Sequence, residues 1–346
     1  MLKEYIKNFY PGSFALVMST GILSIASRLF QLELISKILF LLNNCFFIVL
    51  LIVFFIHLTA YFPSFKQQLS TPSKAPGFLT IVAGSCILAN EYVLQEQYKA
   101  ATFLWVFSIL CWLVLVYSFV ALSVLKRVKA PLEKALDGSW LLLVVSTQAI
   151  VITGAFIAEH LAIPTNVTSF ILFCGWLLGV FLYFVIATII FFRLVFSPVH
   201  PAEITPAYWI DTGAAAISVV AGAALLPLFN SLPGVNEFIP LVKSFVTMLW
   251  CIASWWIPLL VILESWRHIK SGFTYSPAYW SLVFPLGMYT VASSRMEEQW
   301  GFNFLHSIAG LFLVLSYVVW LIVFIGMLIG MLKIFAAKKQ AQFINL

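Results

Sequence analysis

Polar side chains are scarce in this chain, and their positions decide what chemistry it can do. Within long apolar runs stand Ser19, Thr20, Ser85, Ser146, Gln148 and Ser218, which offer neutral hydroxyl and amide groups. Groups of this kind hold an anion weakly enough to let it go, which conduction requires. Small and hydroxyl-bearing residues also serve close helix packing in lipid, so packing and pore lining are both open. For Gln148 the two readings are sharp. Its amide either donates to a passing anion or makes a hydrogen bond between helices, because leaving it unpaired in an apolar setting is costly. Two carboxyls stand near the ends of apolar runs, Asp211 near the start of one and Glu91 near the end of another. Each either caps or pairs at the membrane interface, or takes up a proton and couples transport to a proton gradient.

Other chemistries lack their residues. Cys45, Cys86, Cys111, Cys174 and Cys251 all lie in apolar runs, and no two are spaced as a metal-type pair. The five histidines form no His-x-x-x-His or His-Glu-x-x-His pattern. There is no P-loop, no Gly-x-Ser-x-Gly elbow and no carboxylate cluster. The expectation is a protein that is not an enzyme and uses no metal or other cofactor.

The elements that must position these groups are read from hydropathy. Of 346 residues, 62% are hydrophobic and only 9% charged, with a mean hydropathy of +1.04. Soluble domains carry about 25% charged residues, so a water-exposed surface could not be covered. Ten apolar spans run over 11–31, 35–62, 77–94, 99–125, 139–158, 166–192, 207–229, 237–264, 277–295 and 302–335. Each is long enough to cross a hydrocarbon core about 30 Å thick. No small-residue cleavage site follows the first, so it reads as a retained helix. An even count places both termini on one side. Segments on that side hold fourteen of the nineteen Lys and Arg residues, and the opposite side holds Arg28, Lys37, Lys99, Lys243 and Arg295. The positive-inside rule then puts both termini in the cytoplasm. The net charge of +6 is thereby a matter of topology, and no nucleic-acid partner is expected.

The spans repeat. Odd spans open on Pro11-Gly12-Ser13-Phe14, Pro76-Gly77-Phe78, Asp137-Gly138-Ser139-Trp140, Pro206-Ala207-Tyr208-Trp209 and Pro277-Ala278-Tyr279-Trp280. The aromatic anchors at 14, 78, 140, 209 and 280 are 64, 62, 69 and 71 residues apart. Pro or Asp suits a helix start, where the first N–H groups have no partner within the helix. The pattern predicts five helical hairpins, 11–62, 77–125, 139–192, 207–264 and 277–335, in one transmembrane domain over 1–346. Odd spans are rich in Gly, Ala, Ser and Thr, and even spans in Phe and other bulky residues. This predicts an all-α polytopic fold in quasi-five-fold arrangement, with odd helices forming an inner ring around a pore and even helices facing lipid.

The opening Phe9-Tyr10-Pro11-Gly12-Ser13-Phe14, with Met18-Ser19-Thr20-Gly21-Ile22, resembles the tellurite-resistance/dicarboxylate transporter family. Its members include tellurite-resistance proteins, malate permeases, sulfite exporters and the slow anion channels of plant guard cells. The segment Pro277-Ala278-Tyr279-Trp280-Ser281-Leu282-Val283-Phe284-Pro285-Leu286 is similar to the family's ninth helix. The resemblance covers nearly the whole chain and implies a homotrimer with one pore per protomer. It also implies that Phe284 plugs the pore, beside a helix-kinking Pro285. A first-helix glycine faces that ring in a bacterial relative; Ala15 stands at the matching position here.

The leading expectation is a passive conduit for small anions in a plasma (inner) membrane, carrying chloride, nitrate or a carboxylate such as malate. The alternative is a proton-coupled carrier or exporter of dicarboxylate, sulfite or a tellurite-related species. The expected partners are these anions, membrane lipid and further copies of the chain.

Overall fold

The computed structural model describes residues 2–231, 237, 239–272 and 275–344. Phe238, inside the expected span 237–264, lies outside the described residues. All regular structure among them is helical. Ten long helices are α1 (Ala15–Leu29), α2 (Glu33–Ala60), α3 (Thr80–Leu94), α4 (Tyr98–Leu125), α5 (Leu142–Ile157), α6 (Thr165–Phe196), α7 (Ile210–Leu225), α8 (Ile239–Ser271), α9 (Trp280–Trp300) and α10 (Phe304–Ile344).

Nine of the ten expected spans coincide with helical segments long and apolar enough to cross a membrane. The span expected at 277–295 is helix α9, which is less apolar because it carries Ser281, Pro285, Thr290, Ser293, Ser294 and Arg295. From Trp280 to Ser294, all of α9 but Ser281 is nonetheless buried. A helix enclosed by protein on every side needs no lipid-facing hydrophobic surface, which explains its composition.

Burial separates the helices as their residue types predict. Spans containing α1, α3, α5 and α7 bury 78–89% of their most apolar window, whereas those of α2, α4, α6, α8 and α10 bury 17–33%. Each odd helix packs on the even helix that follows it. The odd helices also pack in a closed order, α1 on α3, α3 on α5, α5 on α7, α7 on α9, and α9 back on α1. The connections are tight. Gln31 (φ 60°), Glu96 (φ 58°) and Gly301 (φ 71°) supply the left-handed residue that turns α1 into α2, α3 into α4 and α9 into α10.

The repeated start motif does more than begin a helix. In each copy it forms a 3₁₀ turn, at Pro11–Phe14, Ala75–Leu79, Gly138–Leu141, Pro206–Trp209 and Pro277–Tyr279. These turns also touch in a closed order, each against the next and the last against the first. The glycines permit this approach. A Cβ on Gly77 would sit 2.9 Å from Pro11 Cβ, and one on Gly138 would fall on the Ala207 carbonyl. Asp137 caps its turn as its residue type predicts, accepting from the Ser139 N–H at 3.0 Å.

Candidate functional site

The five inner helices share one cavity of about 120 Å³ near their C-terminal ends. Every inner helix lines it: Ile22, Ile25 and Leu29 from α1, Ile87 and Asn90 from α3, Ile152 and Phe156 from α5, Val220 from α7, and Met288, Val291 and Arg295 from α9. The register explains the set. Positions 22, 25 and 29, like 288, 291 and 295, are three to four residues apart and lie on one helix face. Arg295 is the one charged residue of this lining. Its Nη1 donates to Glu298 Oε2 at 2.6 Å, and the two side chains are 28% and 48% exposed.

One turn toward the N-terminal ends, the same faces carry Met18, Ala83, Ala149, Ala216 and Phe284. All five are sealed, at 0–2% exposure. Three alanines leave room between helices for the two large side chains of this layer. Ala15 lies one turn further along α1 and is also buried. Pro285 supplies no N–H to the carbonyl of Ser281, which loosens α9 beside Phe284. Gly213 of α7 accommodates that proline, since a Cβ there would lie 3.0 Å from Pro285 Cγ. Gly287 likewise lets α9 close on Ile22 and Leu23 of α1.

The six neutral polar residues singled out from sequence are all fully buried, and none lines this cavity. Ser19 Oγ donates to the Trp280 carbonyl at 2.8 Å, tying α1 to the start of α9. Thr20 Oγ1 accepts from Trp320 Nε1 of α10 at 3.1 Å. Gln148 Nε2 donates to the Trp176 carbonyl of α6 at 3.1 Å, with its side chain pressed on Gly179. Ser85, Ser146 and Ser218 each donate to a carbonyl of their own helix, at Ile81, Leu143 and Ala214.

The two carboxyls are buried and lie on different elements. Asp211 is nine residues before Val220, half a helical turn out of phase with the cavity face. Neither of its oxygens has a hydrogen-bond partner among the described residues, and it interacts electrostatically with Tyr183 and Tyr208. Glu91 accepts from Asn43 Nδ2 of α2 at 2.5 Å. Glu91 is enclosed by protein.

Sequence reasoning passed over four features. Asn90 and Arg295 line the cavity, although nothing in their local sequence marks them. Two arginine clasps, one buried and one half-buried, also went unseen. Arg193, at the end of α6, donates to the Tyr208 hydroxyl and, at 2.6 Å, to the Leu136 carbonyl. Arg267, at the end of α8, donates to the Tyr279 hydroxyl at 2.5 Å. The same tyrosine of both Pro-Ala-Tyr-Trp motifs is thus held by an arginine of the preceding helix. The signal was present, since both arginines lie 12–15 residues before their tyrosine.

A ring of enclosed helices around a shared axial cavity, wrapped by lipid-compatible ones, defines a polytopic membrane transport protein. A sequence model of the family described as "Voltage-dependent anion channel" matches residues 8–328. The chain belongs to this family, the tellurite-resistance/dicarboxylate transporter group that its opening motif resembles. It is an integral membrane protein, an anion transporter or channel of that family. It is similar to an uncharacterised transporter of Methanocaldococcus jannaschii, at 26% identity over 87% of this chain and 89% of the relative. It is also similar to a sulfite efflux pump of Arthroderma benhamiae, at 26% identity over 92% of this chain and 90% of the relative. An uncharacterised membrane protein of Mycobacterium tuberculosis is 34% identical over 43% of this chain and 76% of its own length.

Proposed function

We propose that the chain is a passive conduit for small anions such as chloride, nitrate or malate, with one path per protomer along the axis of the five inner helices. One observation carries this reading: the cavity is lined by all five inner helices, and its charged lining residue is Arg295. Phe284 closes the path at the sealed layer of Met18, Ala83, Ala149 and Ala216, and swings aside in the conducting state, where Pro285 has loosened the helix. Ala15 bounds the same stripe on α1.

Two features favour anions over cations. Arg295 draws negative charge to the cavity. At the other end, the start turns gather the N-terminal ends of five helices, where the backbone dipoles favour an anion. Ser85, Ser146 and Ser218 hold only their own helix carbonyls and can turn toward a passing ion by a change of one rotamer. Ser19, Thr20 and Gln148 bridge helices and serve to hold the ring.

The proposal includes ten membrane crossings in a single domain, a homotrimer in a plasma (inner) membrane surrounded by lipid, and both termini in the cytoplasm. Voltage-clamp recording from purified protein in planar bilayers, with a panel of anions, tests it. Currents that reverse at the anion equilibrium potential are expected. Flux that needs a proton gradient and carries no such reversal potential overturns the passive reading and favours a proton-coupled exporter of sulfite, dicarboxylate or tellurite-related species. The buried carboxyls of Glu91 and Asp211 are the observation behind that second reading.

A further inference from the structure

Between α1, α2 and α3, one residue away from the cavity lining, lies a polar pair with an unusual deficit. Glu91 is 1% exposed and Asn43 is fully buried. Asn43 Nδ2 donates to Glu91 Oε2 at 2.5 Å. The remaining oxygens, Glu91 Oε1 and Asn43 Oδ1, have no partner among the described residues. Both are acceptors, so an ionised Glu91 leaves each without a donor. A carboxylate buried without a countercharge is also strongly disfavoured.

One proton resolves both deficits. A neutral carboxylic acid has an O–H donor on one oxygen and an acceptor on the other. A primary amide has the same two functions, so acid and amide can close a ring of two hydrogen bonds. Nδ2–H donates to Oε2 and Oε1–H donates to Oδ1. We propose that Glu91 and Asn43 form a one-proton site, loaded as this acid–amide ring, and that its loading sets the rate of anion passage through the neighbouring cavity. The coupling rests on the anion path proposed above; the proton site itself does not.

The surroundings fit such a site. Gly21 of α1 makes the room, since a Cβ there would lie 2.5 Å from Asn43 Nδ2 and 3.0 Å from Glu91 Oε2. The Ser24 hydroxyl of α1 lies beside the carboxyl, but its one proton is given to the Ser36 carbonyl of α2 at 2.9 Å. No charged group among the described residues interacts electrostatically with Glu91. On the elements packed around it, Arg28 of α1 is engaged by Glu33 of α2 at 2.8 Å. Tyr92 of α3 donates to Asn44 of α2 at 2.6 Å, Cys111 belongs to α4, and α5 has no ionisable side chain. Across the cavity, Arg295 is paired with Glu298.

Release is toward the cavity that Asn90, the next residue, lines at 6% exposure. The Oε1–H bond breaks, its electron pair stays on the carboxylate, and the proton passes to water in the cavity. The loss of the acid–amide ring frees α2 and α3 to shift relative to each other. The released carboxylate places negative charge beside the anion path, so deprotonation slows anion flux.

Glu91→Gln is the decisive variant, because a glutamine can form the same two hydrogen bonds with Asn43 and imitates the loaded state. In proteoliposomes, wild-type anion flux is expected to fall at least several-fold as pH rises from about 5 to 9. The Glu91→Gln flux is expected to stay flat at the wild-type low-pH level. Asn43→Ala is expected to move the wild-type midpoint. Infrared spectroscopy of detergent-solubilised protein reads the site without transport. The wild type should show a carbonyl band of a buried neutral carboxylic acid that Glu91→Gln loses, separate from any band that Asp211, also buried, contributes to both. Absence of that band in the wild type, or a Glu91→Gln flux that titrates as the wild type does, overturns the proposal. If the band is present and lost on mutation but no anion flux occurs at any pH, the proton site stands and the anion reading falls.

Discussion

Replacing Phe284 by alanine addresses the closed layer directly. Its ring is 2% exposed, on the α9 face that continues through Met288, Val291 and Arg295 into the cavity. On the facing helices stand Met18 and three alanines, and the alanines are too short to fill the space once the ring is gone. Burying a phenylalanine side chain is worth about 1.5–3 kcal/mol relative to exposing it. If conduction requires the ring to leave this layer, the open state is disfavoured by roughly that amount. With ~1.4 kcal/mol per factor of ten, the closed ring holds flux roughly ten- to a hundredfold below its open value. Phe284→Ala removes the term, and anion conductance in planar bilayers should rise by that factor. Phe284→Leu should give an intermediate rise. Large-to-small changes in a packed core also destabilise by about 3–5 kcal/mol, so each variant is compared at matched thermal stability and oligomeric state. A folded Phe284→Ala protein with wild-type conductance removes the ring from the rate-limiting layer and refutes the argument.

Three further outcomes follow from named contacts. Arg295→Ala should reduce anion flux roughly tenfold at low ionic strength; a unit pair at 4 Å and an effective dielectric of 20 gives about 4 kcal/mol as a ceiling, lowered here by partial exposure and by Glu298. The difference should shrink as salt is raised, and flux measurements at two salt concentrations check both points. Gln148→Leu should lower thermal stability by about 1 kcal/mol, the net worth of its bond to the Trp176 carbonyl, and leave the order of anion permeabilities unchanged; an altered order places the amide on the ion path. Gly138→Ala puts a methyl group on the Ala207 carbonyl and should destabilise by about 1–3 kcal/mol or more, read as a fall in unfolding temperature, whereas alanine at Gly272, which has open space around it, should cost only the strain of its positive φ.

The amino-acid sequence by itself determined the helices, their division into enclosed and lipid-facing sets, and the recurring start motif. These are local properties. Hydropathy over some twenty residues, the size of side chains along a span and proline or aspartate at a helix start act within one segment, and a chain with 9% charged residues has few other ways to satisfy its backbone in lipid. The family followed from the same motif. Tertiary structure decided which way each polar group faces. Gln148, Thr20 and Ser19 look alike in sequence to pore-lining residues, yet each is directed at a neighbouring helix, because a helix offers several faces and only packing selects the one that meets the axis. Asn90 and Glu91 are adjacent in the chain and about 100° apart around α3. That rotation alone puts the first on the cavity and the second against Asn43, whose amide donates to it. The closed ring of start turns is tertiary in the same sense: glycine in three of the five motifs is legible, but the residues that press on Gly77 and Gly138 belong to neighbouring repeats, some sixty to seventy residues away.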